Sequence, residues 1–323
     1  MNRVFRDPVG GTLFPQGSVV CMGAFDGLHR GHQALVRQAV ADAHAHDLPA
    51  VAVSFEPLPR EFFAGEEKPQ RLMLPRDKVT GLRQLGADAV GLLRFNAAMT
   101  QMSAEAFIDE VLIKRLRANA VWVGPEFRFG HRRSGDIRLL RDRGLDKGFR
   151  ACEIEGVEVG DVRVSSTGIR AALAAGNFDQ VEHLLGRPYA ISGRVVRGRQ
   201  LGRTLGYPTA NIRYGHYRPA LQGIFAVRVH GIESGPRAAV ASFGTRPTVD
   251  GVEPLLEAHI FDFDGDLYGR HLAVEFVEKL RDEQRFQSLD DLVLQMRIDD
   301  AQARAILGVH PGSNSLKNNR ANA

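Results

Sequence analysis

A chain of 323 residues with 44% hydrophobic and 25% charged residues has the make-up of a folded globular protein, which excludes disordered, collagen-like and fibrous classes. It is about twice the usual length of one domain, so two domains are expected. Lys and Arg number 42 against 38 Asp and Glu, a formal net charge of +4 that suits anionic small molecules and does not call for nucleic acid.

From Ser18 to about Val159, short β-branched runs alternate with segments of helical period, the pattern of a parallel sheet flanked by helices. Strands are predicted at Val19–Met22, Ala50–Phe55, Ala89–Leu93 and Ala120–Val123, and their near-continuous apolar character implies that both faces are covered. Leu35, Val36, Ala39, Val40 and Ala43 recur at helical spacing between the first two strands. Phe107, Ile108, Val111 and Leu112 do the same after Ser103, a candidate N-cap. The basic stretch Arg128–Arg150 is interrupted by Asp136, Asp142 and Asp146 and lacks interleaved aromatics, so it reads as a solvated, mobile loop and not as a nucleic-acid patch.

A helical pair is predicted over Thr167–Ala175 and Phe178–Leu185, each closed by a glycine, Gly176 and Gly186. After Arg187-Pro188 the pattern changes to period-two runs: Tyr189–Val196, Gly206–Ile212, Ile224–Val229, Ala238–Phe243, Leu255–Phe261 and Leu272–Phe276. Strands of this kind, separated by Gly and Pro, predict a six-stranded antiparallel barrel. A helix around Leu289–Ile306 ends the ordered part, and the polar tail 310–323 is expected to be disordered. The domains therefore span 1–186 and 187–309.

Cys21 and Cys152 lie in apolar or strand-like runs, which suggests neither a disulfide framework nor a zinc cluster and points to a reducing cytoplasm. Met1–Asp7 lacks the apolar stretch of a signal peptide, and no membrane segment is expected.

The first chemical cluster is Gly23-Ala24-Phe25-Asp26-Gly27-Leu28-His29-Arg30-Gly31-His32, where a buried strand gives way to a helix. Such an edge of a parallel sheet binds ligands, and a helix beginning near Gly31 offers N–H groups and a positive dipole end to a polyphosphate. Two imidazoles there can donate to phosphate oxygens as charge develops. A metal pair and plain structural histidines are the competing readings. Ser165-Ser166-Thr167-Gly168-Ile169-Arg170 adds hydroxyls, a helix start and an arginine, though alone it reads equally as an N-cap beside a solvated side chain.

The second cluster is Gly198–Asn211, a glycine-rich stretch ending in Pro208-Thr209-Ala210-Asn211. Gly198, Gly202 and Gly206 can bring backbone N–H groups close to phosphates, and on an extended segment Thr209 and Asn211 point the same way, toward a magnesium ion. A glycine-rich hairpin with a capping Thr is the alternative. In Leu255–Phe261 an apolar face of Leu256, Ala258 and Ile260 leaves Glu257 and His259 on the other, where a carboxylate can act as general base or be merely solvated.

Together these runs resemble the bacterial bifunctional riboflavin kinase/FAD synthetases, over about residues 15–307. Phe55–Phe62, Gly124–Gly130, the Gly244–Thr248 turn and Asp266–Gly269 fall in the family's order. The sequence departs from the family at Glu126, usually Asp or Asn, at Leu58, usually His or Gln, and at Phe225, usually Tyr, where loss of the phenol is expected to alter one ligand hydrogen bond. The resemblance implies a Rossmann-like N-terminal nucleotidyltransferase domain that adenylylates FMN and a C-terminal barrel that phosphorylates riboflavin. It implies His29, His32 and Arg170 as stabilising groups, with Gly23, Phe25, Gly31, Ser165, Ser166 and Thr167 around the first ATP. Gly198, Gly202 and Gly206 then serve the second ATP, Thr209 and Asn211 hold Mg2+, and Glu257 is the kinase base. Glu126, Arg128 and Arg281 are the flavin-binding candidates. Riboflavin, FMN, FAD and ATP are the expected small-molecule partners of a cytoplasmic monomer or weak homo-oligomer, with no nucleic acid and no membrane.

Overall fold

The apolar run Ser18–Met22 forms strand β2, and all five of its residues are buried. It lies inside a sheet ordered β1-β4-β3-β2-β5-β6, with β1 at Arg3–Phe5, β3 at Ala50–Glu56, β4 at Ala89–Arg94, β5 at Ala118–Val123 and β6 at Arg150–Glu153. Every pairing is parallel. This is a computed structural model of the chain, and it describes residues 3–65, 68–198, 202, 205–233, 235–248 and 251–309. The expected disordered tail lies outside the described residues.

Alternate residues of β2 serve the two faces of the sheet. Val19 and Cys21 join Leu35, Val36, Ala39 and Ala43 of helix α1 (Arg30–Ala45), while Val20 and Met22 join Phe107, Ile108, Val111 and Leu112. Those last residues belong to α5 (Ala104–Phe107), capped by Ser103 as predicted, and to a π-helical continuation, Ile108–Arg115. Between β3 and β5 stand α2 (Pro59–Phe63), α3 (Pro75–Gln84) and α4 (Ala97–Gln101). Strands β1 and β6 escape the sequence pattern because they are edge strands: β1 is three residues long, and the ends of β6 are the exposed Arg150 and Glu153.

The stretch expected to be a mobile loop contains a helix, α6 (Ile137–Lys147). Asp136 caps it by accepting from Arg138 N and Leu139 N at 3.0 Å, Leu140 is buried, and Gly148 closes it at φ 79°. Its apolar stripe is thin, and Arg143 and Lys147 pair with Asp109 on a neighbouring element, which no local pattern reveals.

The chain divides into two compact units, Met1–Gly168 and Ile169–Ala323. Helix α7 (Ser166–Ala174) crosses that division, and α8 (Phe178–Leu185) follows it. Sequence assigns this helical pair to the first domain, whereas nearly all of it falls in the second unit. The Phe178 ring stands 6.1 Å from Phe225 and 6.3 Å from Phe276 of the barrel.

After a two-stranded antiparallel pair, β7 (Glu158–Val159) and β8 (Val162–Arg163), the barrel closes in the order β10-β13-β12-β11-β14-β9, with β9 at Ala190–Val196, β10 at Ala210–Arg213, β11 at Gly223–His230, β12 at Arg237–Thr248, β13 at Gly251–Ile260 and β14 at His271–Arg281. All six pairings are antiparallel. Two expectations change. The second strand begins at Ala210 and not at Gly206, because Gly206 has φ 82° and Pro208 carries no N–H to donate. Gly244–Thr248 is no turn: it extends β12, in register with β13 from Ala239↔Ile260 to Thr248↔Gly251. Phe225 is fully buried inside the barrel, with its ring 5.1 Å from Phe276. Helix α9 (Leu289–Leu307), capped by Ser288 and closed by Gly308 at φ 67°, packs on β11, β12 and β14.

Candidate active sites

Strand β2 hydrogen-bonds β3 on one side and β5 on the other, so the sheet order reverses there and the loop leaving its C-terminal end opens at a topological switch point. That loop is the first predicted cluster. Phe25 and Leu28 hold left-handed φ of 49° and 45°, a strained conformation for side chains of this size. The surroundings impose it. Buried Asp26 accepts from Leu72 N and Met73 N, both at 3.1 Å, and from Arg60 at 3.2 Å. Ser166 Oγ donates to Asp26 O at 2.9 Å, and Gln33 Nε2 donates to Leu28 O at 2.9 Å. A Cβ at Gly23 would stand 3.0 Å from the Phe25 ring, close enough that the ring would have to shift by a few tenths of an ångström.

His32 lies in the first turn of α1, as the sequence predicts, and His29 is the helix's N-cap. His29 Nδ1 accepts from His32 N at 3.2 Å, so in neutral His29 the ring proton is on Nε2. The two rings stack at 3.6 Å and 14°, with Phe25 edge-on to His32 at 5.4 Å. His32 Nδ1 is buried without a hydrogen-bond partner, a state that a ligand oxygen would relieve. Burial, followed by the charges of His29 and Lys78, holds the His32 imidazole well below the ordinary histidine value, so it is neutral at physiological pH. Ser165 Oγ accepts from Gly168 N at 3.1 Å and thereby caps α7, while Thr167 stands in its first turn. Arg170 lies four residues beyond Ser166 on the same helix, hence on the same helical face.

Two groupings near this loop were not read from sequence. The first is ionic and buried: Arg71 Nε donates to Glu61 at 2.7 Å, Arg71 also pairs with Glu56 at 2.8 Å, and Lys78 donates to Ala24 O at 2.8 Å and to Ser54 Oγ at 3.2 Å. Nothing local marks these residues, since an Arg or Lys in an amphipathic segment reads as solvated. The second is a run of aromatics past the ends of β3 and β4. Phe62 and Phe63 stand edge-on to Phe95 at 5.5 and 5.9 Å, Phe95 meets Phe55 at 5.7 Å, and Phe107 links Phe55 to Phe129. Phe63 is 69% exposed, a large apolar ring offered to solvent. The predicted flavin residues nearby are exposed: Glu126, at φ 60°, pairs with Arg163 at 3.4 Å, and Arg128 pairs with Asp136 at 3.3 Å. Among the described residues no group of three or more His, Cys, Asp or Glu is placed to hold a metal.

In the barrel, Glu257 of β13 stands opposite Asn211 of β10 and Ser242 of β12. Leu256, Ala258 and Ile260 are buried as expected, which turns Glu257 and His259 to the other face. Thr209 Oγ1 donates to Glu257 Oε1 at 3.5 Å, and Asn211 Nδ2 donates to Thr209 O at 3.3 Å. Asn211 Oδ1 is buried with no partner. Gly198 packs directly on it, since a Cβ there would lie 2.7 Å from Oδ1. His259 Nδ1 donates to Pro208 O at 2.9 Å and anchors the segment. Of the other predicted glycines, Gly202 accepts from Tyr207 N at 2.7 Å and Gly206 occupies a left-handed turn. Residues 199–201 and 203–204 lie outside the described residues.

Two cavities meet at Thr209. One, of about 550 Å³, is lined by Glu257, Tyr207, Ile224, Arg281 and Phe286, and the other, of about 620 Å³, by Asn211, Arg197, Phe263 and Tyr268. Arg281 is held by Asp299 through two bonds, 2.9 and 2.7 Å.

A switch-point loop with stacked histidines on a parallel sheet, joined in one chain to a closed barrel with a carboxylate in a cavity, defines a two-unit transferase that uses nucleotides. Residues 12–168 match the family described as FAD synthetase, and residues 185–307 match riboflavin kinase. The chain is 43% identical to the bifunctional riboflavin kinase/FMN adenylyltransferase of Escherichia coli K12, covering 91% of this chain and 94% of that one. It is 44% identical to the enzyme of the same name from Pseudomonas fluorescens, covering 90% and 93%. A crystal structure titled macrolide-efflux protein, from Streptococcus pneumoniae, is similar over 94% of this chain and 98% of its own, with TM-score 0.74 and 32% identity. The chain belongs to the bifunctional riboflavin kinase/FMN adenylyltransferase family.

Proposed function

We infer that the chain makes FAD from riboflavin in two ATP-consuming steps, FMN formation in the barrel and adenylylation in the parallel-sheet unit. The two family matches on one chain support the pair of activities. The residue assignments rest on one observation: within each candidate cluster a buried polar atom has no protein partner, His32 Nδ1 at the switch-point loop and Asn211 Oδ1 beside Glu257.

In the barrel, Glu257 takes the proton of the ribityl 5′-hydroxyl as that oxygen attacks the γ-phosphorus of ATP, and ADP leaves. Glu257 and Arg281 line the cavity assigned to the flavin, and Thr209, which donates to Glu257, borders both that cavity and the one assigned to the nucleotide, which Asn211 lines. Thr209 and Asn211 are hard oxygen donors, and the unpartnered Asn211 Oδ1 fits a magnesium ion. Bound there, the ion supplies charge neutralisation to the phosphates.

In the first unit the FMN phosphate attacks the α-phosphorus of a second ATP and pyrophosphate leaves. No covalent enzyme intermediate is needed. Neutral His32 and His29 donate to the phosphate oxygens, and Arg170 from α7 stabilises the departing charge. Gly23, Phe25 and Gly31 shape the loop around the nucleotide, and Ser165, Ser166 and Thr167 hold the adjoining helix start. The exposed rings of Phe62 and Phe63 suit stacking against the flavin, with Glu126 and Arg128 at its polar edge.

The adenylyltransferase is assigned to residues 1–186 and the kinase to 187–309. No helix among the described residues is long and apolar enough to cross a membrane. We assign the chain as a cytoplasmic monomer or weak homo-oligomer whose partners are small molecules, the mild net charge of +4 suiting anionic substrates. Incubation with riboflavin, ATP and magnesium, resolved by chromatography, should show FMN appearing first and then FAD. Appearance of neither product would overturn the reading.

A further inference from the structure

Lys78 is wholly buried in α3, yet the chemistry above gives it no part. A methionine would pack in its place, whereas a buried ammonium carries a desolvation cost that only hydrogen bonds or ion pairs offset. The ammonium makes two bonds, both to neutral oxygens: Ala24 O at 2.8 Å and Ser54 Oγ at 3.2 Å. Ser54 Oγ also donates to Ala24 O at 3.0 Å, so three groups from α3, β3 and the loop after β2 close on one another. The charged groups facing Lys78 come from every surrounding element. Asp26 on the loop, Glu56 at the end of β3 and Glu61 on α2 favour its charge, and Arg71 opposes it. The first two carboxylates and Glu61 already hold other partners, Arg60 for Asp26 and Arg71 for the two glutamates.

We propose that Lys78 is a positioning residue of the adenylyl-transfer site: its ammonium fixes the Gly23–Leu28 loop from beneath, through the Ala24 carbonyl, and presents a positive charge to the site of the ATP phosphates. Two electrostatic facts accord with this geometry. Burial, with Arg71, lowers the Lys78 ammonium to about 8, within reach of ordinary assay conditions. Its charge is also among the causes that keep His32 neutral.

The inference rests on adenylylation taking place in the first unit, and the test separates the two. FAD formation from supplied FMN and ATP is measured from pH 6.5 to 9.5, for wild type and Lys78→Met, with kinase turnover of the same preparations as the control for folding. Wild-type adenylylation should fall as the pH rises past about 8, with no matching fall in kinase turnover. Lys78→Met should lose roughly ten- to a hundredfold in kcat/KM at pH 7 and lack that alkaline limb. In the same variant the His32 titration, followed by NMR of labelled histidine, should move up toward the ordinary value. A role confined to packing would lower thermal stability and leave both the limb and the His32 titration in place, which overturns the proposal. Should Lys78→Met not fold, the wild-type profile decides alone: active enzyme without a limb near pH 8 sinks the role of Lys78. Absence of FAD synthesis in wild type at every pH would instead sink the functional reading beneath it.

Discussion

At the scale of single residues, the stacked histidines show how one motif divides its labour. His29 spends Nδ1 on capping α1, which leaves Nε2–H as its donor, while His32 keeps an unpartnered buried Nδ1. Replacing His32 with Ala should lower FMN adenylylation by roughly 10²–10³, the scale for one preorganised donor, and leave riboflavin phosphorylation near wild type in a coupled ATP assay. Equal losses of both would contradict the assignment. The pH sign follows from burial. The folded-state value of His32 is depressed, so between it and the ordinary histidine value the unfolded chain binds more protons and the cost of keeping this ring neutral grows as pH falls. Adenylylation should therefore keep its rate through pH 6.5, and a limb there that vanishes in the His32→Ala background would speak against a neutral donor. In the barrel, Glu257→Gln should abolish FMN formation and spare FAD synthesis from supplied FMN. Both histidines and Glu257 were legible from residue type and local spacing. The ring tautomer was not, because it depends on which N–H the helix turn points at the imidazole.

At the scale of elements, strands with strong local patterns match their predictions and those governed by neighbours do not. The four central strands of the parallel sheet are apolar on both faces, a property that a sequence displays directly. The edge strands β1 and β6 are short or polar and exist because an adjacent strand offers a ladder. Helix α6 was hidden for a related reason, since its charged face is answered by Asp109 on another element. The Gly198 segment before β10 gives an element-scale test. A methyl at Gly198 would meet Asn211 Oδ1 at 2.7 Å and turn the amide from the cavity. Gly198→Ala should raise the KM for magnesium-ATP in the kinase reaction by tenfold or more, with adenylylation as the unaffected control. An unchanged KM would remove Asn211 from the proposed metal site.

At the scale of the whole molecule, each unit carries its own cluster of candidate site residues, so the two half-reactions are separable by mutation. A mixture of His32→Ala and Glu257→Gln proteins should convert riboflavin to FAD far faster than either alone, because FMN released by the first is substrate for the second. Chromatography of the mixture against each variant reads this out, and failure to complement would mean that one variant had lost both activities. The amino-acid order alone determined the first unit's parallel sheet with helices on both faces, the six-stranded barrel and the candidate site residues, because periodicity, glycine placement and short motifs are local properties of the chain. The tertiary structure decided the rest. It set that Gly244–Thr248 is strand, that Phe62 and Phe63 stand exposed, and that Arg71 and Lys78 are buried beside the loop. Burial, register and charge balance arise from segments distant in sequence, and for Lys78 the deciding partners lie 24 and 54 positions away.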